Sequence, residues 1–343
     1  MSIQQLVLVT GVTGFVGAHV AVSLLKKGYR VRGTVRSMEK ANELVRLNPD
    51  LKDKIEFVIV KDIVEPDAFK DAVKNCDYIC HVASPFFFDK VDNNKTQLLD
   101  PAVKGTLSAL EAAMNEPRIK RVVITSSFVA MADFSIDPYT GYNYTEKDWN
   151  PVSYEEAVST KDGFVAYAAS KKFSEKAARE FVKEKQTHFD ICTVNPIFVF
   201  GPPIHPMNSM ESLNTSNLII WNLINGSKVQ PDFQQFQVDV RDLANAHILA
   251  MTKPQLSNGR LLLSQGSFTT DGICKILREK FPDRKDVISE PTDVPFNEKH
   301  YVLDNSYSKS LGLQYYSEEQ TYVDTALMLW ARAKQLAKAK QLA

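Results

Sequence analysis

Four cysteines in 343 residues are too few, and too scattered, for a disulfide framework or a thiolate metal site. Cys76, Cys80, Cys192 and Cys274 form no CxxC pair, and the last three lie inside apolar runs. They read as small buried hydrophobes of a reducing compartment. Histidine is also sparse, with six in the chain and none at metal-ligand spacing, so no metal is expected. Neither sign of charge prevails: Lys plus Arg and Asp plus Glu are 41 each. That balance provides no long-range field to draw the chain to nucleic acid or an anionic membrane. No apolar stretch approaches the roughly 18 residues of a membrane span. The N-terminus, Met1-Ser2-Ile3-Gln4-Gln5, lacks the basic flank of a signal peptide. A cytoplasmic protein with a small-molecule partner is the expectation.

Short β-branched runs alternate with helical patterns through the first two hundred residues. Strands are predicted at 6–10, 30–35, 55–60, 78–82, 121–125 and 189–194. Each is apolar on both faces, as in a parallel sheet covered by helices on each side. Helices are predicted at 16–27, 38–47, 66–74, 98–115 and 163–185. The alternation predicts an α/β doubly wound (Rossmann) sheet. After Asn195-Pro196 the pattern changes: 201–235 reads as a long loop carrying one helix, 217–225. A helix at 239–251, a strand at 260–264 and a helix at 270–281 follow, then an irregular stretch at 286–316 and a last helix at 318–343. The expected organisation is a dinucleotide-binding domain over 1–196, with 236–266 returning to it. A smaller discontinuous substrate lobe would use 197–235 and 267–343.

The first strand runs into Gly11-Val12-Thr13-Gly14-Phe15-Val16-Gly17 and then an apolar helix. Glycines at this spacing permit a tight turn and close approach of backbone to a pyrophosphate, and the helix N-terminus supplies free N–H groups. At the end of the second strand an NAD enzyme places an acidic residue for the ribose hydroxyls. This chain has Arg36, with Lys40 one helical turn on. A guanidinium suits a 2′-phosphate, so NADP is favoured over NAD.

Tyr167 and Lys171 form YxxxK, which on a helix puts both side chains on one face. An ammonium beside a phenol is expected to draw its pKa from about 10 toward neutrality. Twelve tyrosines make about one such pair expected by chance, and only Tyr167 has lysine four positions on. Position adds the meaning. Strand 121–125 ends in Thr125-Ser126-Ser127 at the sheet edge where ligands bind, and one of the two serines can hydrogen-bond a substrate carbonyl there.

Several stretches in one order carry a family resemblance. They are Gly11–Gly17, His81-Val82-Ala83-Ser84-Pro85, Ile124–Ser127, Tyr167–Lys171, Asn195-Pro196 with Val199-Phe200-Gly201-Pro202, and Val238-Asp239-Val240-Arg241-Asp242. The chain resembles the extended short-chain dehydrogenases/reductases over nearly its whole length. Within them it is similar to the branch of yeast methylglyoxal/aldehyde reductases and plant dihydroflavonol and cinnamoyl reductases. The resemblance implies a Ser127-Tyr167-Lys171 triad, with Lys171 also binding the nicotinamide ribose. The implied NADPH contacts are the glycine turn (Gly11, Thr13, Gly14, Phe15, Val16, Gly17), Arg36, Lys40, Asp62, Ile63, Ala83, Ser84, Thr125, Pro196, Val199 and Ser216. Many yeast members have Ala where this chain has Gly17, a departure expected to be harmless.

Phe86, Phe128, Val129, Ala132 and Phe198 are the expected substrate pocket. The apolar Phe86-Phe87-Phe88 suits an apolar carbonyl better than a nucleotide sugar. The implied activity is reduction of aldehydes, ketones or α-dicarbonyls by a monomer or homodimer. The alternatives are a dihydroflavonol- or hydroxysteroid-type reductase and a non-catalytic NADP-sensing regulator.

Overall fold

The computed structural model describes residues 4–84, 91–227, 234–293 and 297–342. Seven strands form the central sheet: β1 (Leu6–Val9), β2 (Arg30–Val35), β3 (Ile55–Ile59), β4 (Tyr78–His81), β5 (Arg121–Thr125), β7 (Asp190–Pro196) and β10 (Arg260–Leu263). Their spatial order is β10-β7-β5-β4-β1-β2-β3, all parallel. A short two-strand pair joins β6 (Asn143–Tyr144) to β12 (Val302–Leu303). A three-stranded sheet holds β8 (Phe198–Phe200), β9 (Gln234–Asp239) and β11 (Gly266–Thr269), with β9 in the middle. The helices are α1 (Phe15–Lys26), α2 (Met38–Leu47), α3 (Asp100–Met114), α4 (Tyr154–Ser159), α5 (Gly163–Lys185), α6 (Thr215–Ile224), α7 (Val240–Thr252), α8 (Thr270–Lys280), α9 (Ser306–Ser310) and α10 (Glu318–Leu342).

Strand alternation explains why the sheet is covered twice. Val7 and Val9 of β1 enter one apolar core with Cys80, Val123 and Val194, packed under α1 and α7. Leu6 and Leu8 enter the opposite core with Ile79, Val122, Ile124 and Ile191, under α3 and α5. A third core, with Phe200, Ile220, Leu277, Tyr322 and Leu329, binds α6, α8 and α10 to the small sheet. The doubly wound parallel sheet expected from the sequence is present, and β2, α2 and α5 have the predicted bounds.

Three expectations fail. Residues 66–74 form a chain of turns instead of a helix. Asp67 adopts φ 58° and Asn75 φ 62°. The buried Arg32 guanidinium takes the Ala72 and Lys74 carbonyls, at 2.9 and 2.6 Å, and so ties down the end of this stretch. The loop expected at 201–235 carries its one helix as α6, but its end already belongs to β9, a strand that was not expected. The irregular 286–316 contains β12 and α9.

In the order of strands, β4 and β1 mark where the winding reverses, because successive connections leave β1 in opposite directions. Such a switch point opens a crevice outside the carboxyl ends of the strands. The glycine turn after β1, the segment after β4, Ser126 and Ser127 after β5, and Pro196 at the end of β7 all reach this edge.

Candidate active site

The glycine turn is shaped by contacts that leave no room for side chains. Gly11 has φ +65°, and a Cβ built there would lie 3.2 Å from the Ala83 Cβ. A Cβ on Gly17 would sit 2.3 Å from the Gly11 carbonyl oxygen. The obstacle is backbone and cannot rotate away, so glycine suits position 17 of this turn. Gly11 N–H donates to Thr34 Oγ1 at 3.0 Å, and Thr10 Oγ1 accepts from Val82 and Ala83 N–H, both at 2.9 Å. The turn is thus tied to β2 on one side and to the end of β4 on the other. Gly14 occupies the N-cap of α1 and offers no side-chain cap, so the first amides of α1 retain their donor capacity. This donor set fits a pyrophosphate.

Arg36 lies just past β2 and is exposed, with Lys40 half-buried on the first turns of α2. Among the described residues neither makes an ion pair, so two cations are available where an adenosine ribose would carry a 2′-phosphate. Asp62 accepts from Val64 N–H at 3.0 Å, and Ile63 packs against Gly105 of α3, where a Cβ would meet it at 2.7 Å.

Tyr167 and Lys171 stand on α5, which starts where the Asp162 carboxylate accepts from the Phe164 and Val165 amides at 2.8 and 3.4 Å. Both side chains are buried, on the same face, with Lys171 Nζ 5.8 Å from the Tyr167 ring centroid. Burial raises the Tyr167 pKa above its ordinary value of 10, and a hydrogen bond with Ser127 opposes that rise. The expected downward pull by Lys171 is overridden, because desolvation dominates and the lysine is itself pulled down to about 8 by burial. The phenol therefore keeps its proton at neutral pH. Lys171 Nζ donates to Ser84 Oγ at 2.8 Å.

The two serines after β5 separate cleanly. Ser127 Oγ lies on the Tyr167 side, accepting from Val129 N–H at 3.3 Å and donating to the Pro196 carbonyl at 3.4 Å. Ser126 turns the other way and donates to Glu175 Oε2 at 3.0 Å. Glu175, one turn beyond Lys171, was not anticipated from the sequence. Its carboxylate is fully buried, accepts from Thr193 Oγ1 at 3.0 Å and Asn195 Nδ2 at 3.1 Å, and forms an ion pair with Arg260, 2.6 Å from Nε. Asn195 Nδ2 also donates to the Ser127 carbonyl at 3.1 Å, so α5, β5, β7 and β10 meet at one charge. Thr125 is committed elsewhere, 2.8 Å from His247 Nε2. Burial holds that imidazole near pKa 4, and its Nδ1 donates to the Leu243 carbonyl, so Nε2 accepts the Thr125 proton.

A cavity of about 480 Å³ opens beside Ser127 and Tyr167. The expected Phe128, Val129, Ala132 and Phe198 line it, whereas Phe86 lies outside the described residues. Ser216, on the first turn of α6, lines it too, while Pro196 and Val199 flank it on β7 and β8. Sequence reasoning missed Phe134, Tyr144, Phe164, Ile197, Gln235 and Tyr301. Phe164 had a signal, since it precedes Tyr167 by three residues and so shares its helix face. Tyr301 and Gln235 had none, because tertiary folding alone brings them there. Among the described residues no cluster of His, Cys, Asp and Glu could hold a metal ion, and no helix is long and apolar enough to cross a membrane.

Residues 7–262 match the model of the NAD dependent epimerase/dehydratase family. The chain belongs to this family. Among its members, an uncharacterized oxidoreductase of Schizosaccharomyces pombe is 62% identical over 96% of this chain and 98% of its own length. The NADPH-dependent methylglyoxal reductase of Saccharomyces cerevisiae is 36% identical over 93% of this chain and 96% of its own. The crystal structure of a yeast methylglyoxal/isovaleraldehyde reductase complexed with NADPH superposes with a TM-score of 0.86. It is 34% identical over 96% of this chain and 99% of that one. Membership of the epimerase/dehydratase family, and of its reductase branch, agrees with the resemblance read from the sequence.

Proposed function

We propose that this chain is an NADPH-dependent carbonyl reductase in which Tyr167 supplies the proton, Ser127 holds the carbonyl oxygen and Lys171 steadies the phenolate. One observation carries the reading: a protonated, buried phenol hydrogen-bonded to Ser127 faces an apolar cavity beside a glycine turn built for a dinucleotide. Arg36 and Lys40, without an ion pair among the described residues, support NADPH over NADH, as does the NADPH dependence of the similar yeast methylglyoxal reductase.

NADPH, when bound, supplies the hydride that reaches the carbonyl carbon. Ser127 Oγ donates a hydrogen bond to the carbonyl oxygen, which polarises the C=O bond. Tyr167 passes its hydroxyl proton to that oxygen as negative charge develops on it, and the product is the alcohol. The ammonium of Lys171 lowers the energy of the phenolate left behind, and bulk proton exchange restores the phenol. Phe128, Phe198 and Phe164 exclude water from the carbonyl. Glu175 locks Ser126, Asn195 and Arg260, so the serine-bearing loop and α5 keep one spacing.

The cavity's size and aromatic walls favour a second reading as well, reduction of a flavonoid- or steroid-sized ketone. We place the protein in the cytosol as a monomer or homodimer with two lobes, 1–196 with 236–266 and the remainder. Four buried, unpaired cysteines support the reducing compartment. Oxidation of NADPH, followed at its absorbance band against a panel from methylglyoxal to bulky aryl ketones, tests the reading. Turnover with at least one class is expected. No oxidation with any carbonyl, by protein that binds NADPH, would overturn it.

A further inference from the structure

The cavity beside Tyr167 is walled mostly by carbon, which makes its one carboxamide conspicuous. Gln235, near the start of β9, lines the cavity and is half-buried. Its Oε1 accepts the Tyr301 hydroxyl at 2.6 Å. Tyr301 itself is held by rings on both flanks, stacked with Phe128 at 5.7 Å and with Phe236 at 5.2 Å between centroids. The oxygen of the carboxamide is therefore occupied and its rotation fixed. The Nε2 amide group makes no hydrogen bond among the described residues.

Three hydroxyls of the wall are already engaged, while those of Thr215 and Ser216 sit on the first turn of α6, away from the Phe128–Tyr301 stack that holds Gln235. Tyr144 Oη donates to the Asp133 carbonyl, at 3.2 Å, and Ser127 and Tyr167 hold each other at the reacting end. The Gln235 amide is a preset donor one ring stack away from the triad, since Phe128 follows Ser127 directly in the chain.

We propose that Gln235 determines specificity in the carbonyl reduction, donating from Nε2 to a second oxygen acceptor on the substrate. The favoured class is a ketone or aldehyde bearing an ester, keto or ether oxygen a few bonds from the reacting carbonyl. A substrate lacking that oxygen strands the donor against carbon, which costs binding of the transition state. This rests on the carbonyl-reductase reading of the same site.

The test measures kcat/KM with NADPH for two keto esters, ethyl benzoylacetate and ethyl 4-oxo-4-phenylbutanoate. Each is compared with the aryl alkyl ketone of equal chain length. Intrinsic reactivity of each substrate is the same for every variant, so the ester-to-ketone ratio isolates the contact. Gln235→Leu should lower that ratio about three- to ten-fold for at least one pair, the magnitude of one neutral hydrogen bond. Gln235→Glu should lower it at least as much, because a carboxylate offers the ester oxygen no donor. Tyr301→Phe, which releases the carboxamide, should lower it less. Circular dichroism and NADPH binding report whether each variant is folded, and Gln235→Glu stands in if the leucine variant is not. Ratios unchanged in folded variants would overturn the role of Gln235 and leave the reductase reading intact. Wild-type protein that binds NADPH but reduces none of the four ketones would overturn the role of Gln235, and only failure across the whole carbonyl panel would remove the reductase reading too.

Discussion

Under the proposed mechanism Lys171 sits between two demands: it must carry charge to hold a phenolate, yet burial favours its neutral form. With its pKa drawn from 10.5 down to about 8, the ammonium is fully present at pH 6–7 and is lost as pH rises through about 8. Carbonyl reduction should accordingly hold level below pH 7 and fall about tenfold per unit well above 8. Lys171→Arg, charged throughout, should turn slower but lose that basic limb; a limb that stays would assign it to another group. The linkage for stability runs the opposite way. Between about 8 and 10.5 the unfolded chain binds the proton that the folded chain has lost, so this residue adds stability as pH rises across that window. At the other end of the site, Arg36→Glu should weaken NADPH by about ten- to a hundred-fold and NADH far less, as measured by fluorescence titration. Equal weakening would make Arg36 structural only.

Among elements, the turn from β1 to α1 has the least tolerance. Gly17→Ala forces a Cβ against the Gly11 carbonyl and should cost about 1–3 kcal/mol in stability, with weaker NADPH binding. Denaturant titration checks this, and an unchanged midpoint would show that the turn yields freely. The same turn was fully legible in the sequence, because strand, glycine spacing and helix are contiguous. So was α5, whose start is written locally by Asp162 and whose apolar face repeats with helical period. Part of what the chain did not disclose was non-local. The helix expected at 66–74 is replaced by turns, whose end is tied to Arg32, more than thirty residues away. Strand β9, flanked by β8 and β11, did carry a local signal, the polar–apolar alternation of Gln235-Phe236-Gln237-Val238-Asp239, which the reading of this stretch as a loop passed over. The choice between Ser126 and Ser127 turned on where Glu175 lies, and nothing in their adjacent positions could settle it.

At the scale of the molecule, the site is assembled across the fold. The sheet edge supplies the glycine turn and Ser127, α5 supplies Tyr167 and Lys171, and α6, β9 and Tyr301 close the cavity from the smaller sheet's side. Every part converges on one protonated phenol. The most direct measurement is therefore NADPH oxidation by Tyr167→Phe with a carbonyl that the wild type reduces, alongside NADPH binding by the same protein. Turnover should fall by about 10²- to 10⁴-fold with NADPH affinity retained. Near-wild-type oxidation by a variant that still binds NADPH would contradict Tyr167 as the proton donor.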